Sequence, residues 1–266
     1  MSEYADDLEL ALRLADIADA ISTSRFGSLD LRVETKPDLT PVTDADKAIE
    51  QALRDRLRDE RPADAVVGEE FGDTDVAGPT PARRWIIDPI DATKNFVRGV
   101  PVWATLIGLV ADDDSVVGVV SAPALGRRWW AASGLGSWTA VAGNQPRPNR
   151  VSAVGTIADA SLSYSELGDW DARRAAFGAL LNSVWRTRAY GDFWSHMLVA
   201  EGAVDISAEP EVSVWDVAAL VPIVVEAGGQ VTGVDGGSSP QSPSIVCTNA
   251  VLHDAVLTML GGATTD

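Results

Sequence analysis

Apolar positions near the N-terminus recur with helical period: Leu8, Ala11, Leu12, Ala15 and Ala18 form a stripe that Leu14, Ile17 and Ile21 widen, while Asp6, Glu9, Arg13 and Asp16 line another face. This predicts an amphipathic helix ending near Gly27. Residues 31–43 turn to β-branched side chains broken by Pro37 and Pro41, which suits an exposed hairpin or flap better than a core strand. Helical period returns from about Asp44 to Asp59, predicting burial of Ala45, Ala48, Ile49, Ala52, Leu53 and Leu57. Short strands are predicted at 66–68 and 85–88, then a meander at 102–110, 116–122, 128–132 and 137–141, with Asp112-Asp113-Asp114 as a solvated turn. Beyond a boundary at 143–150 the rhythm alternates, with strands at 160–165, 185–190, 204–209, 230–234 and 244–248 and helices at 170–183, 193–201, 214–227 and from Leu252. Pro222 should bend its helix and Gly228-Gly229 should stop it. The chain reads as one compact unit in two halves, α+β over 1–145 and α/β over 146–266.

The 266 residues carry 21 basic and 39 acidic side chains, a formal charge of −18. That offers no cationic footprint for nucleic acid. With 46% hydrophobic residues spread along its length, the chain also differs from disordered acidic proteins. The nearly apolar stretch 100–110 falls short of the roughly 20 residues that span a bilayer, and the N-terminus is acidic where a signal peptide is basic, so a cytoplasmic protein is expected. Cys247 is the sole cysteine, which excludes an intrachain disulfide, and His196 and His253 are the only imidazoles. Zinc sites and Ser-His triads therefore lack parts. His196 reads as a structural helix residue, His253 as a surface residue at a helix start, and Cys247 as buried.

Four acidic clusters sit where solvated carboxylates usually do not. Val66-Val67-Gly68-Glu69-Glu70 and Trp85-Ile86-Ile87-Asp88-Pro89-Ile90-Asp91-Ala92-Thr93 place carboxylates directly after apolar strands; Asp216 opens an apolar helix, and Thr43-Asp44-Ala45-Asp46 opens another. Singly, Asp216 reads as an N-cap, Asp46 as half of a capping box and Asp-Pro as a turn. Jointly, carboxylates converging at one mouth would repel one another without cations between them. Oxygen-only ligands select hard ions, Mg²⁺ above all.

Gly68-Glu69-Glu70, the run Asp88-Pro89-Ile90-Asp91-Ala92-Thr93-Lys94-Asn95-Phe96, and Trp215-Asp216-Val217-Ala218-Ala219 resemble, in order and spacing, the three signatures of the inositol monophosphatase family of Mg²⁺-dependent phosphatases. The resemblance spans almost the whole chain and implies the layered αβαβα sandwich of the inositol monophosphatase and fructose-1,6-bisphosphatase type. It implies two to three Mg²⁺ ions: a first held by Glu69, Asp88 and the Ile90 carbonyl, a second between Asp88, Asp91 and Asp216, and a weaker third beside Glu69. It further implies that Thr93 and Asp46 orient the attacking water, that the backbone of Ala92 and Thr93 meets the phosphate, and that the protein is a homodimer. Ala92 departs from the family's glycine, which puts a methyl group against a backbone meant to approach phosphate. Residues 31–43 and the 72–81 loop are expected to move near the site.

Segments 101–110, 121–133 and 188–219 are most similar to the bacterial histidinol-phosphate phosphatases of this family. On that resemblance Arg188, Tyr190, Asp192, Phe193, Trp194 and Glu209 line the pocket, with Asn249 as a further contact to an imidazole. Two carboxylates there suit a cationic substrate, and histidinol phosphate carries an amine and an imidazole. The alternatives are an inositol monophosphatase or broad sugar phosphatase, and a catalytically impaired binding paralogue marked by Ala92. Asp44-Ala45-Asp46 superficially matches the nucleophile motif of haloacid-dehalogenase-type phosphatases, but the segment before it is too short and proline-broken to be the strand that motif requires.

Overall fold

The computed structural model describes residues 3–37, 39–73, 82–142, 144–237 and 240–261. Residues 74–81, most of the second loop expected to move, lie outside the described residues. The chain begins with α1 (Ala5–Arg25), a hairpin of β1 (Val33–Thr35) and β2 (Pro41–Thr43), and α2 (Asp44–Glu60). Next come β3 (Ala65–Gly68), β4 (Gly72–Asp73), β5 (Arg83–Asp91) and the short α3 (Thr93–Val97). The meander follows as β6 (Ala104–Ala111), β7 (Asp114–Ala122), β8 (Arg127–Ala132), β9 (Gly136–Val141) and β10 (Arg147–Pro148). The remainder alternates: β11 (Ser161–Ser163), α4 (Arg174–Ser183), β12 (Arg186–Arg188), α5 (Asp192–Ala200), β13 (Ile206–Glu209), α6 (Val214–Val217), α7 (Leu220–Glu226), β14 (Gln230–Thr232), β15 (Ile245–Thr248) and α8 (His253–Leu260).

Eight strands form one sheet in the order β10-β9-β8-β7-β6-β5-β3-β4, antiparallel except where β3 runs parallel to β5. Five form a second, β12-β11-β13-β15-β14. Helices α1 and α2 cover one face of the first sheet through a core that includes Leu10, Leu14, Ile49, Leu53, Trp85 and Ile107. Helices α5 and α7 fill the space between the sheets, with Phe193, Met197, Leu220 and Ile223 against Leu106, Val120 and Trp129. Helices α4 and α8 cover the far face of the second sheet through Phe177, Leu180, Val256 and Leu257. The result is the αβαβα sandwich expected from the motifs. No helix of the described residues is long and apolar enough to cross a membrane.

Several local expectations change. In α2 the buried face turns away from Ala48, which is exposed, toward Asp46, Glu50 and Arg54, which are buried. The helix expected at 170–183 starts as a 3₁₀ turn over Gly168–Arg173, where Asp171 has φ 30°, and becomes α-helical only at Arg174. The helix expected at 214–227 breaks at Ala218-Ala219, because the ring of Pro222 excludes the carbonyl of the residue four positions before it. That break lies on Gly108 and Gly118, register partners on β6 and β7, where a Cβ would overlap the backbone of Ala218 and Ala219. The two glycines thus let α6, and Asp216 on it, sit directly on the first sheet.

Candidate active site

Parallel pairing of β3 with β5 sets Gly68 beside Ile87, and Glu69 N–H continues the ladder to the Ile87 carbonyl at 3.2 Å. Glu69 and Asp88 therefore leave the same sheet edge. Asp88 and Asp91, three residues apart, would face opposite sides of a regular strand. The β5–β6 register shifts between them, so that Asp88 pairs with Leu106 and Asp91 with Ala104. One extra residue on β5 restores a common face, and the Pro89 carbonyl freed from the ladder is caught by Thr105 Oγ1 at 2.8 Å.

Across from this bulge, α6 brings Asp216, and Asp88, Asp91 and Asp216 offer ligand oxygens all within 4.8 Å of one another. Asp88 is 1% exposed, and its Oδ1 is buried without a hydrogen bond. An orphaned buried carboxylate oxygen amid two further carboxylates is an all-oxygen donor set that fits a hard divalent cation. Burial, then repulsion among neighbours, holds all three above the usual carboxylate range, Asp216 at about 7.

Two of the site's carboxylates also cap helices. Asp216 Oδ2 accepts Ser213 N–H at 2.7 Å in a capping box. Asp46 Oδ2 accepts Thr43 N–H at 2.9 Å and the Thr43 hydroxyl at 2.5 Å, while its Oδ1 lies 3.5 Å from Thr93 Oγ1. Asp46 is fully buried, which pushes it up to about 6. Thr93 Oγ1 also donates to the Ile90 carbonyl at 2.9 Å. Ala92, immediately before α3, adopts φ 66° and ψ 46°, the left-handed conformation that glycine takes without strain.

Glu69 and Glu70 are bound to Lys36, whose Nζ lies 2.7 Å from Glu69 Oε1 and 2.6 Å from Glu70 Oε1. Lys36, from the β1–β2 hairpin, was not singled out from sequence; it neutralises the glutamate that the resemblance assigns to a metal. A second missed residue is Glu50. Its carboxylate is fully buried, accepts Glu70 N–H at 2.8 Å and Phe71 N–H at 3.1 Å, and pairs with Arg54 at 2.7 Å. Gly68 must lack a side chain because a Cβ would overlap this carboxylate. The i, i+4, i+8 spacing of Asp46, Glu50 and Arg54 along α2 was the available signal.

A cavity of about 330 Å³ opens here, lined by Glu69, Ala92, Thr93, Ser165, Tyr190 and Asp192 among others. Asp192 is not the N-cap of α5; Gly191 holds that position, and Asp192 has φ 49°. Burial and repulsion from Glu209 push it up to about 7. Asp91 Oδ2 accepts Phe193 N–H at 2.9 Å, which ties the three-aspartate cluster to the start of α5. Tyr190 receives Arg186 Nη2 on its hydroxyl at 3.0 Å, with the Trp194 ring 5.3 Å away. Of the residues expected in the pocket, Tyr190 and Asp192 line this cavity; Phe193 is buried in the core between the sheets, Trp194 and Glu209 are not among the lining residues, and Arg188 and Asn249 are placed elsewhere. Arg188 is exposed and donates to the carbonyl of its neighbour Thr187, and edge strand β12 ends there. Asn249 is buried, with its amide spent on Ser152, Val154 and Leu252. His253 is likewise not a surface residue: it is fully buried, bridging Thr232 and Thr248 at 3.0 Å each.

A profile of the inositol monophosphatase family matches residues 3–263. The chain belongs to that family. It is 58% identical over 258 residues to a histidinol-phosphatase of Mycobacterium tuberculosis, covering 96% of this chain and 98% of the relative. A histidinol-phosphatase of Streptomyces coelicolor is 55% identical, covering 97% of each. Among solved structures, an inositol monophosphatase from Zymomonas mobilis superposes with a TM-score of 0.85 at 29% identity, covering 98% of this chain and 100% of that one. The protein is thus a phosphatase of a metal-dependent family that acts on small phosphate monoesters.

Proposed function

We propose that the protein is a Mg²⁺-dependent histidinol-phosphatase, hydrolysing L-histidinol phosphate to L-histidinol and phosphate. The observation that carries this reading is the pair Asp192 and Glu209, joined through Ser165 Oγ, which accepts Asp192 N–H at 2.8 Å and donates to Glu209 at 2.5 Å. A second acidic pair beside an already acidic cluster suits an ammonium or imidazolium group and not a neutral polyol. The relatives named above support the same substrate.

On this reading Asp88, Asp91 and Asp216 hold Mg²⁺, with Glu69 and the Ile90 carbonyl completing two to three ion sites. Bound Mg²⁺ supplies positive charge to the phosphoryl oxygens and makes water more acidic. The chain's own residues supply position and proton transfer. Asp46, with its Oδ1 3.5 Å from the Thr93 hydroxyl, orients the attacking water and accepts its proton. Water attacks phosphorus opposite the leaving alkoxide, the ester P–O bond breaks, the alkoxide takes a proton from solvent to become the alcohol, and no covalent enzyme intermediate is needed. Ala92 and Thr93 at the start of α3 face the phosphate from the cavity wall. The homodimer expected from the family belongs to the same proposal, and sedimentation at twice the chain mass tests it. Steady-state phosphate release from L-histidinol phosphate against inositol monophosphate tests the substrate; a preference for the inositol ester would exclude the reading.

A further inference from the structure

Glu209, on β13, lies against a histidine that the reaction above does not use. His196 lies on α5 four residues after Asp192. His196 is 2% exposed. Its Nδ1 lies 2.8 Å from Ser207 Oγ and its Nε2 lies 3.3 Å from Glu209 Oε1. Ser207 and Glu209 are two apart on β13 and face the same side of the strand, and Cys247 is the register partner of Ser207 on β15. The ring is therefore held over the sheet by Ser207, with its other nitrogen facing the carboxylate that Ser165, a residue of the cavity wall, also binds.

Ser165 Oγ and His196 Nε2 converge on the same oxygen, Oε1, of Glu209. Oε2 takes no hydrogen bond among the described residues. We propose that His196 is a positioning residue for substrate recognition: with Ser165 it pins Glu209 Oε1 and so presents Oε2 to the cationic end of the substrate. The assignment rests on the substrate reading above. An ionised carboxylate only accepts, so the Nε2 that faces Glu209 carries the proton and donates. One nitrogen anchors the ring on Ser207 and the other meets the carboxylate that Ser165 ties to the cavity wall.

The test is steady-state kinetics on L-histidinol phosphate with Mg²⁺. His196→Met fills the ring's volume without a donor and is expected to raise KM about tenfold, the ratio given by losing one hydrogen bond to a charged group, while kcat stays within about twofold. His196→Gln keeps a donor toward Glu209 and is expected to recover most of the loss. In a Glu209→Gln background His196→Met is expected to add nothing. A folded His196→Met protein with unchanged KM, a Gln variant as impaired as Met, or additive effects in the double variant overturns the assignment. A measurement on the wild-type chain covers a Met variant that does not fold: the His196 Nε2 nitrogen resonance should shift on saturation with L-histidinol, and should not in Glu209→Gln. An unmoved wild-type resonance overturns the assignment equally. Wild-type protein that ignores histidinol phosphate refutes the substrate reading instead; the same variants are then compared on inositol monophosphate, where the same outcomes decide the role of His196.

Discussion

Raising the pH of the metal-free protein should loosen it, and Mg²⁺ should reverse the effect. Asp216 is pushed by burial, and by Glu69 and Glu209 nearby, from 3.8 to about 7. A group whose folded pKa lies above its unfolded value contributes stability that is present below the unfolded pKa and is lost as pH rises through the folded one. The window therefore runs from about pH 4 to about pH 7, and the difference corresponds to about 4 kcal/mol. Asp46, at about 6, and Glu70, at about 7, move in the same direction. These groups share their mutual repulsion, so the loss for the site is set at that of one group rather than a sum. For a chain of this size about 4 kcal/mol is roughly 10 °C in melting temperature. Thermal melts in chelator should fall by that amount between about pH 4 and about pH 8, and Mg²⁺ should restore most of it at the upper end and little at the lower, where the ligands are protonated. Asp216→Asn should flatten the metal-free profile. A metal-free melting temperature that holds level or rises across the window, or Mg²⁺ stabilising equally at both ends, would refute the reasoning.

Three substitutions test other parts of the site. Ala92→Gly relieves a left-handed alanine but returns chain entropy and removes a methyl packed against the first-sheet core, so it should raise the melting temperature by only about 2 °C while increasing turnover; turnover unchanged within about twofold shows the substitution to be silent. Gly68→Ala forces Glu50 off the Glu70 and Phe71 amides, and should cost about 3 kcal/mol in denaturant unfolding and weaken Mg²⁺ binding by calorimetry; a variant of wild-type stability would show that Glu50 can move freely. Asp192→Asn should lower kcat/KM for histidinol phosphate about tenfold and leave inositol monophosphate unaffected, whereas equal losses on both would assign Asp192 to the fold.

The periodicities of α1, α2 and the meander made the individual elements legible, whereas the layered architecture was legible through the family resemblance that the acidic motifs carry. Asp88 and Asp91 converge by another route than a strand ending at 88 and a tight turn: β5 runs on to Asp91, and the bulge at Pro89 restores the common face that an odd spacing would lose. Helix 214–227 broke earlier than expected because a proline acts on the carbonyl four residues before it, and its place on Gly108 and Gly118 is a tertiary fact. Glu50 and Lys36 escaped notice because each works through a contact distant in sequence: Glu50 holds the amides of the turn after β3, and Lys36 reaches Glu69 from the hairpin. Asn249 failed as a pocket residue for a related reason. A polar side chain after a strand looks available until its amide is found spent on Ser152 and Val154.

The central claim, a Mg²⁺-dependent phosphatase selecting a cationic substrate, is tested most directly by measuring phosphate release from L-histidinol phosphate with Mg²⁺ and with chelator, alongside inositol monophosphate. The account predicts release from histidinol phosphate that requires Mg²⁺ and exceeds that from the inositol ester by at least about tenfold in kcat/KM. Equal or greater activity on the inositol ester, or release that persists in chelator, would contradict it.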